Sequence, residues 1–266
     1  MDLELQGRLA IVTGGSRGIG KAIARELAKE GATVAIVARD LGTAKTAASE
    51  IAAETGQSLY AYRADTGKDD DVRAAVSQMV SEHERVDILV NCAAQPAGQQ
   101  AAPKLANITD EMFWADVNVK VLGYLRFARE VAPVMQRQHF GRIINISGLA
   151  ARQTGSIIGS IRNVSVAALT KNLADELGPY GINVTCVHPG LTRTEKTPDA
   201  LRFRASAAGL SVEAVEKRLV EDTSIRHFVT AEEVAYVVAF LASPKSIAFS
   251  GDAIAVGGGK VGAIYY

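Results

Sequence analysis

The stretch Leu9-Ala10-Ile11-Val12-Thr13-Gly14-Gly15-Ser16-Arg17-Gly18-Ile19-Gly20 decides the fold. Its first five residues are an apolar run closed by Thr13, the signature of a buried strand. A helix follows, with Ile19, Ala22, Ile23, Leu27 and Ala28 on one face and Gly31 as its stop. Between them, Gly14 allows a tight turn, Gly18 lets backbone approach a pyrophosphate, and Gly20 lets the helix pack close to the sheet. The helix N-terminus offers unpaired N–H groups and the positive end of its dipole to phosphates. Spaced glycines alone are a weak signal; strand, glycines and helix in this order are a strong one.

Outward from this turn the chain alternates. Strands are expected over 34–38, 59–64, 86–91, 142–147, 182–187 and 253–256. Helices are expected over 43–54, 70–83, 111–131, 163–178, 212–221 and 231–242. The strands are near-continuous apolar runs, which marks a parallel sheet covered on both faces. The expected fold is therefore α/β: a doubly wound parallel sheet of about seven strands flanked by helices, a single-domain Rossmann fold. No Pro/Gly/Ser linker divides residues 1–266, so one domain is expected.

Composition excludes several classes. With 48% hydrophobic and 22% charged residues among 266, disorder, a collagen repeat and a disulfide scaffold are ruled out. The formal net charge is zero and no basic run appears, so no nucleic-acid partner is expected. No stretch approaches the roughly 20 apolar residues of a membrane span. The acidic start, Met1-Asp2-Leu3-Glu4-Leu5, has no signal-peptide pattern. Cys92 and Cys186 lie in apolar runs and read as buried thiols of a reducing cytoplasm. No metal site is expected.

The G-x-x-x-G-x-G spacing, taken with later residues, resembles the short-chain dehydrogenase/reductase family over nearly the whole chain. Asn91-Cys92-Ala93-Ala94 is similar to that family's Asn-Asn-Ala-Gly segment, with two of four letters kept. Asn118 matches its helix-borne active-site Asn, and Gly141 to Ser147 its fifth strand. Val187-His188-Pro189-Gly190-Leu191-Thr192 matches its Pro-Gly segment, and Gly251 to Gly259 its last strand. The resemblance implies a nicotinamide cofactor, a small-molecule substrate and a homo-oligomer, commonly a tetramer, with a dimer also open. It assigns cofactor contacts to Ser16, Ile19, Thr66, Asn91, Ala93, Ile146, Pro189, Gly190 and Thr192. It also assigns Asp65 to the adenine, whereas residue chemistry alone equally suits a cap for the helix opening near Lys68.

Charge speaks to the cofactor type. A NAD-selective site places Asp or Glu against the ribose 2′-hydroxyl at the end of the second strand. This chain has Ala38-Arg39-Asp40 there. Arg39 can bind a 2′-phosphate bidentately, and Arg17 in the glycine turn adds a second cation. NADP(H) is expected over NAD(H); the alternative has Arg39 solvated and Asp40 on the ribose.

At the catalytic end the pattern breaks. The family's proton donor is a Tyr assisted by a Lys four residues later, with a Ser on the substrate oxygen. None of the seven tyrosines has a Lys four residues on, so Tyr-x-x-x-Lys is absent. Alignment from the downstream helix places Gly159 and Asn163 at the Tyr and Lys positions, and Gly148 at the Ser position. Asn118 alone survives. The stand-ins are Ser147, which alternation turns to the opposite face unless the strand end twists, Arg162, a cation that could polarise a carbonyl but is a poor proton donor, and Asn163, which could hydrogen-bond a ribose hydroxyl but cannot assist a proton. Lys171 reads as an exposed surface residue, His188 as an ordinary variant beside Pro189-Gly190, and Tyr265 and Tyr266 as a surface tail. Gly159 is expected to leave room in the cleft. The segment 191–223 falls at the family's lid, whose cations Arg193, Lys196, Arg202, Arg204, Lys217 and Arg218 are offset by acids.

Three readings stay open. One is an oxidoreductase of a small carbonyl or alcohol with a non-standard proton path. The others are a nucleotide-binding protein that has lost its chemistry, and a non-redox lyase or isomerase using the cofactor structurally.

Overall fold

Seven strands alternate with helices: β1 (Leu9–Thr13), β2 (Thr33–Ala38), β3 (Leu59–Arg63), β4 (Ile88–Asn91), β5 (Gly141–Ile146), β6 (Ile182–Pro189) and β7 (Ala253–Val256). The computed structural model describes residues 1–95 and 101–264. All pairings are parallel, in the order β3-β2-β1-β4-β5-β6-β7. The chain winds outward from β1 to β3, returns to β4 beside β1, and winds the other way. That reversal opens a crevice beyond the carboxyl ends of β1 and β4, the usual ligand position in such sheets. Thr13 is level with Asn91 there, and its Oγ1 accepts from the Cys92 and Ala93 N–H groups at 3.0 and 3.2 Å.

The helices are α1 (Gly18–Lys29), α2 (Leu41–Thr55), α3 (Asp69–His83), α4 (Asp110–Val117), α5 (Gly123–Gln138), α6 (Ile157–Leu177), α7 (Thr197–Ala208), α8 (Val212–Glu221) and α9 (Ala231–Ala242). The strands are apolar on both faces because both are covered. Ile23, Leu27, Ile51 and Val238 of α1, α2 and α9 pack with Val12 and Ile36 on one side. Val72, Met79, Phe127, Met135 and Leu177 of α3, α5 and α6 pack with Ile11, Leu89 and Ile143 on the other. A small third cluster, Leu201, Ala205, Val215 and Phe228, binds α7 to α8 over the crevice.

Three elements differ from expectation. The helix expected over 111–131 is α4 and α5 joined by a π-helical turn, Asn118–Leu122, and it runs on to Gln138. Single π-turns frequently mark functional sites. Helix α6 starts at Ile157 rather than 163, because the Ser156 side chain caps it by accepting from the Gly159 N–H at 3.0 Å. Helix α7 was not expected: only Thr197, Leu201 and Ala205 of its residues are buried, too sparse a stripe to stand out. No helix among the described residues is long and apolar enough to cross a membrane.

Candidate active site

A cavity of about 650 Å³ fills the crevice between the glycine turn, the ends of the strands and the lid. Of the residues expected to bind cofactor, Gly14, Ser16, Arg17, Gly18, Ile19, Gly20, Arg39, Asp40, Thr66, Ala93, Ile146 and Thr192 line it. Two glycines are needed for close approach. A Cβ on Gly14, whose φ is +67°, would lie 2.9 Å from Ala93 Cα, and one on Gly20 would lie 2.3 Å from the Gly14 carbonyl oxygen. Gly20 thus lets the start of α1 pack on the turn itself, while Ile23 and Leu27 farther along pack on the sheet. The N-cap of α1 is Arg17, with no side-chain cap and no acid in the first turn. Its amides are therefore free for an anion, and a lid carboxylate takes one: the Gly18 N–H donates to Glu195 Oε2 at 3.2 Å. This cradle fits a dinucleotide pyrophosphate.

At the outer end of the cavity Arg17 and Arg39 are exposed, and neither has an ion-pair partner among the described residues. Asp40 is occupied, since its carboxylate caps α2 by accepting from the Thr43 N–H at 2.7 Å. On the lid, Arg193 pairs with Glu216, Arg202 with Asp199 and Lys217 with Glu221. Lys196 and Arg204 line the cavity instead.

At the inner end the expected side-face position of Ser147 is not what forms. Ser147 lines the cavity, and its hydroxyl donates to the Asn163 carbonyl at 2.9 Å. The strand ends at Ile146, so the alternation no longer holds one residue later. Asn163 is buried, and its Oδ1 accepts from Lys120 Nζ at 2.9 Å. Lys120 Nζ also donates to the Ser147 carbonyl at 2.9 Å. Lys120 lies in the π-turn, lines the cavity and is only 4% exposed. Burial pushes its ammonium down to about 7, with the Arg162 charge acting in the same direction and Cys92, Cys186 and Asp116 opposing. Burial likewise pushes the Cys186 thiol up to about 11, and the Cys92 thiol, which is half-buried at the cavity wall and not fully buried as expected, is desolvated to about 11 as well. His188 sits behind Gly148, whose N–H approaches its Nδ1 at 3.4 Å, and burial pushes it down to about 4. His188 is therefore neutral at neutral pH.

Several predicted residues lie off the cavity. Asn118 donates to the Gly67 carbonyl at 3.0 Å, tying the π-turn to the loop after β3. Asp65 accepts from the Gly67 N–H at 2.9 Å and does not cap α3, whose N-cap is Lys68. Asn91 is turned inward to Asn145 at 3.0 Å, with its own Oδ1 unpartnered. Pro189 ends β6, and Gly190 after it packs against Gly257, where a Cβ would come within 2.9 Å of the Gly257 Cα. Arg162 pairs with Asp116 at 2.5 Å, leaving its buried Nε without a partner. Gly159 is buried in the first turn of α6, and a Cβ there would meet Ser156 Oγ at 2.8 Å, so the room expected beside it is not part of the cavity. Lys171 pairs with Asp175 at the surface. Tyr265 and Tyr266 lie outside the described residues.

Sequence reasoning missed Lys120, Glu195 and the cavity positions of Lys196 and Arg204. For Lys120 there was a signal: a lone cation in the apolar run Val117-Asn118-Val119-Lys120-Val121-Leu122.

The sheet order and the cleft at its switch point define a Rossmann-type, doubly wound fold. Residues 14–260 match the family profile described as Enoyl-(Acyl carrier protein) reductase. The short-chain reductase protein NovJ of Streptomyces niveus is 32% identical over 256 residues, 96% of this chain and 94% of that protein. The 3-oxoacyl-(acyl-carrier-protein) reductase of Aquifex aeolicus is 32% identical over 262 residues, 97% of this chain and 99% of that protein. Among solved structures, L-sorbose reductase from Gluconobacter frateurii, complexed with NADPH and L-sorbose, superposes with a TM-score of 0.92 at 28% identity, covering 99% of this chain and 100% of that one. The chain belongs to the short-chain dehydrogenase/reductase family of oxidoreductases.

Proposed function

We propose that the protein is an NADP(H)-dependent oxidoreductase that interconverts a small carbonyl compound and its alcohol by a non-standard proton path. The observation that carries this reading is the single cavity running from the Arg17 and Arg39 cations to Lys120 and Ser147. The amides of Gly18, Ile19 and Gly20 would hold the pyrophosphate, and Arg39 with Arg17 the 2′-phosphate, which the capping role of Asp40 leaves uncontested. Thr66, Ala93, Ile146 and Thr192 would wall the dinucleotide, with Asn91, Pro189 and Gly190 supporting that wall from behind. A bound nicotinamide would supply the hydride chemistry. Lys196 and Arg204 on the lid favour a substrate that carries an anionic group.

Asn118, placed on the Gly67 carbonyl, shapes the π-turn rather than touching substrate, and Arg162 holds Asp116 rather than a substrate carbonyl. The free thiols suit a cytoplasmic setting. The exposed Met112, Trp114, Ile161 and Val164 of α4 and α6 suit a homo-oligomer, which sedimentation analysis would size.

Calorimetric titration with NADPH and NADH tests the cofactor. Stopped-flow absorbance at the nicotinamide band across ketones and alcohols tests turnover. Binding of neither dinucleotide overturns the reading. Binding without turnover favours a nucleotide-binding protein that has lost the chemistry.

A further inference from the structure

Lys120 is the only lysine buried among the described residues, and it lines the cavity. An ammonium has three donors and no acceptor. Two are used, by the Ser147 carbonyl and Asn163 Oδ1, both at 2.9 Å. Among the described residues Nζ makes no further hydrogen bond and no carboxylate pairs with it; Asp116, the carboxylate that acts on its charge, is held by Arg162. The other groups facing it are Cys92 beyond β4, Cys186 and His188 on β6, and Tyr124 of α5, whose hydroxyl donates to the Ile146 carbonyl. None of these exchanges a proton near neutrality: the thiols and the Tyr124 phenol are pushed up, and His188 is pushed down. The Ser147 hydroxyl is committed to the Asn163 carbonyl.

We propose that Lys120, held by its bonds to Ser147 and Asn163, is the group that gives and takes the proton in this cleft. Its place between the end of β5 and α6 puts it beside Asn163, where a tyrosine–lysine pair would otherwise serve. The contact also orients Asn163. Because Lys120 only donates, Oδ1 must face it, and Nδ2 turns toward Gly148, where a Cβ would lie 3.4 Å away. The missing side chain at Gly148 leaves Asn163 Nδ2 uncrowded, and the third Lys120 N–H remains for a substrate oxygen in the cavity that Lys120 and Ser147 line.

In the reduction, the carbonyl carbon accepts two electrons as hydride from a reduced nicotinamide. The C=O π bond breaks and the oxygen takes one proton from Lys120 Nζ. A C–H and an O–H bond form, and the neutral amine regains its proton from water. Oxidation of the alcohol runs the same transfers backwards. The redox step rests on the reading above; the assignment of the titrating group does not.

The test begins without cofactor. In protein carrying ¹³Cε-lysine, the Lys120 resonance is identified by its loss in Lys120→Met and titrated. The expected midpoint is near 7, as burial dictates; an ammonium that stays charged to pH ~9.5 or above, near the reference lysine, overturns the proposal. Reduction of 2,3-butanedione, cyclohexanone and the anionic ketone acetoacetate with NADPH is then followed against pH. The expected rate falls as pH rises through the same midpoint. Lys120→Met loses this limb and about 10²–10⁴ in rate, the usual worth of a positioned acid. Lys120→Arg, which keeps the charge but cannot release a proton, falls equally. An unchanged rate and limb in both variants overturns the proposal. Wild-type protein that binds NADPH but turns over none of these ketones, the anionic one included, while Lys120 titrates near 7 counts against the reductase reading and leaves the titrating group assigned. Lys120→Met sheds a buried charge, so it is expected to fold, which circular dichroism checks.

Discussion

The Lys120 ammonium and the Asn163 amide, on helices 43 residues apart in sequence, meet at 2.9 Å inside the cleft. Asn163 stands where the family resemblance expects a lysine, so the positive charge has not vanished from the site; it enters from the π-turn. Restoring the expected residue therefore has a clear penalty. Asn163→Lys would set a second ammonium against Lys120; at pH ~5, where both are charged, two like charges about 4 Å apart repel by roughly 4 kcal/mol at an effective dielectric near 20, and release of the Lys120 proton caps the loss at about 2–3 kcal/mol. Urea unfolding is expected to show a loss of that order. The double variant Lys120→Met with Asn163→Lys is expected to recover most of it. Equal stabilities for the single and double variants would disprove the coupling. Gly159→Tyr with Asn163→Lys is accordingly expected to fail as a graft of reductase activity while Lys120 remains, and Ser156 must also move aside for the ring.

The same burial makes stability pH-dependent. The folded-state midpoint of Lys120 is near 7, below its unfolded value of about 10.4, so between these the unfolded chain binds more protons. Stability is thus expected to fall as pH drops from about 10 towards 7, by a few kcal/mol for this group alone. Cys92 and Cys186 act oppositely above pH ~8.5, where the unfolded thiols ionise first, but they are present in wild type and Lys120→Met alike. The quantity to measure is the stability difference between those two proteins. It should favour Lys120→Met increasingly as pH falls through this window, and a flat difference would count against the buried-ammonium assignment.

His188 supplies an acid-side counterpart. Its midpoint is pushed from 6.5 down to about 4, so stability present above 6.5 is lost as pH falls towards 4. His188→Gln is expected to flatten that loss in thermal melts. It should leave any activity limb near pH 7 in place, because the imidazole is already neutral there. A limb that vanishes in His188→Gln would transfer the proton role to His188.

What the sequence made legible follows the range of the interactions involved. Gly14, Gly18 and Gly20 act within one turn, and the strands β1 and β7 appear at their expected positions because a buried parallel strand is apolar throughout. Arg17, Arg39 and Thr192 reach the cavity because the ends of strands and their adjoining loops face the crevice in this topology. The inner site was less legible. Lys120 acquires its surroundings only when the π-turn packs against the end of β5 and α6, and no local pattern encodes that register. Ser147 escapes strand alternation because β5 stops one residue earlier. Asn91, expected at the cofactor, is instead spent on a buried pair with Asn145 that no spacing rule anticipates.

Arg39 and Arg17 give the cofactor preference a direct check. Hydrogen bonds to a charged group are worth about 1.5–3 kcal/mol each. Arg39→Ala is expected to weaken NADPH binding roughly tenfold to a hundredfold with little change for NADH. Arg17→Ala should act in the same direction more weakly. If calorimetry finds NADH preferred in wild type, or both dinucleotides equally affected by Arg39→Ala, the 2′-phosphate role is lost.

Glu195 bears on both dinucleotides alike. Its carboxylate reaches from the lid, 177 residues along the chain, to the Gly18 N–H at the start of α1. A carboxylate there satisfies the helix dipole to the extent of about 0.3–1 kcal/mol. A pyrophosphate needs the same amides, so the two anions compete for one cradle, and the acid must leave before a dinucleotide can settle. Glu195→Gln keeps the shape of the side chain and removes its charge. The expected result is binding about two- to fivefold tighter for NADPH and for NADH equally, since the pyrophosphate is common to both. The gain should shrink at high ionic strength, where exposed charges are screened. Affinity that is unchanged or weaker at low salt would mean that Glu195 does not compete for the cradle.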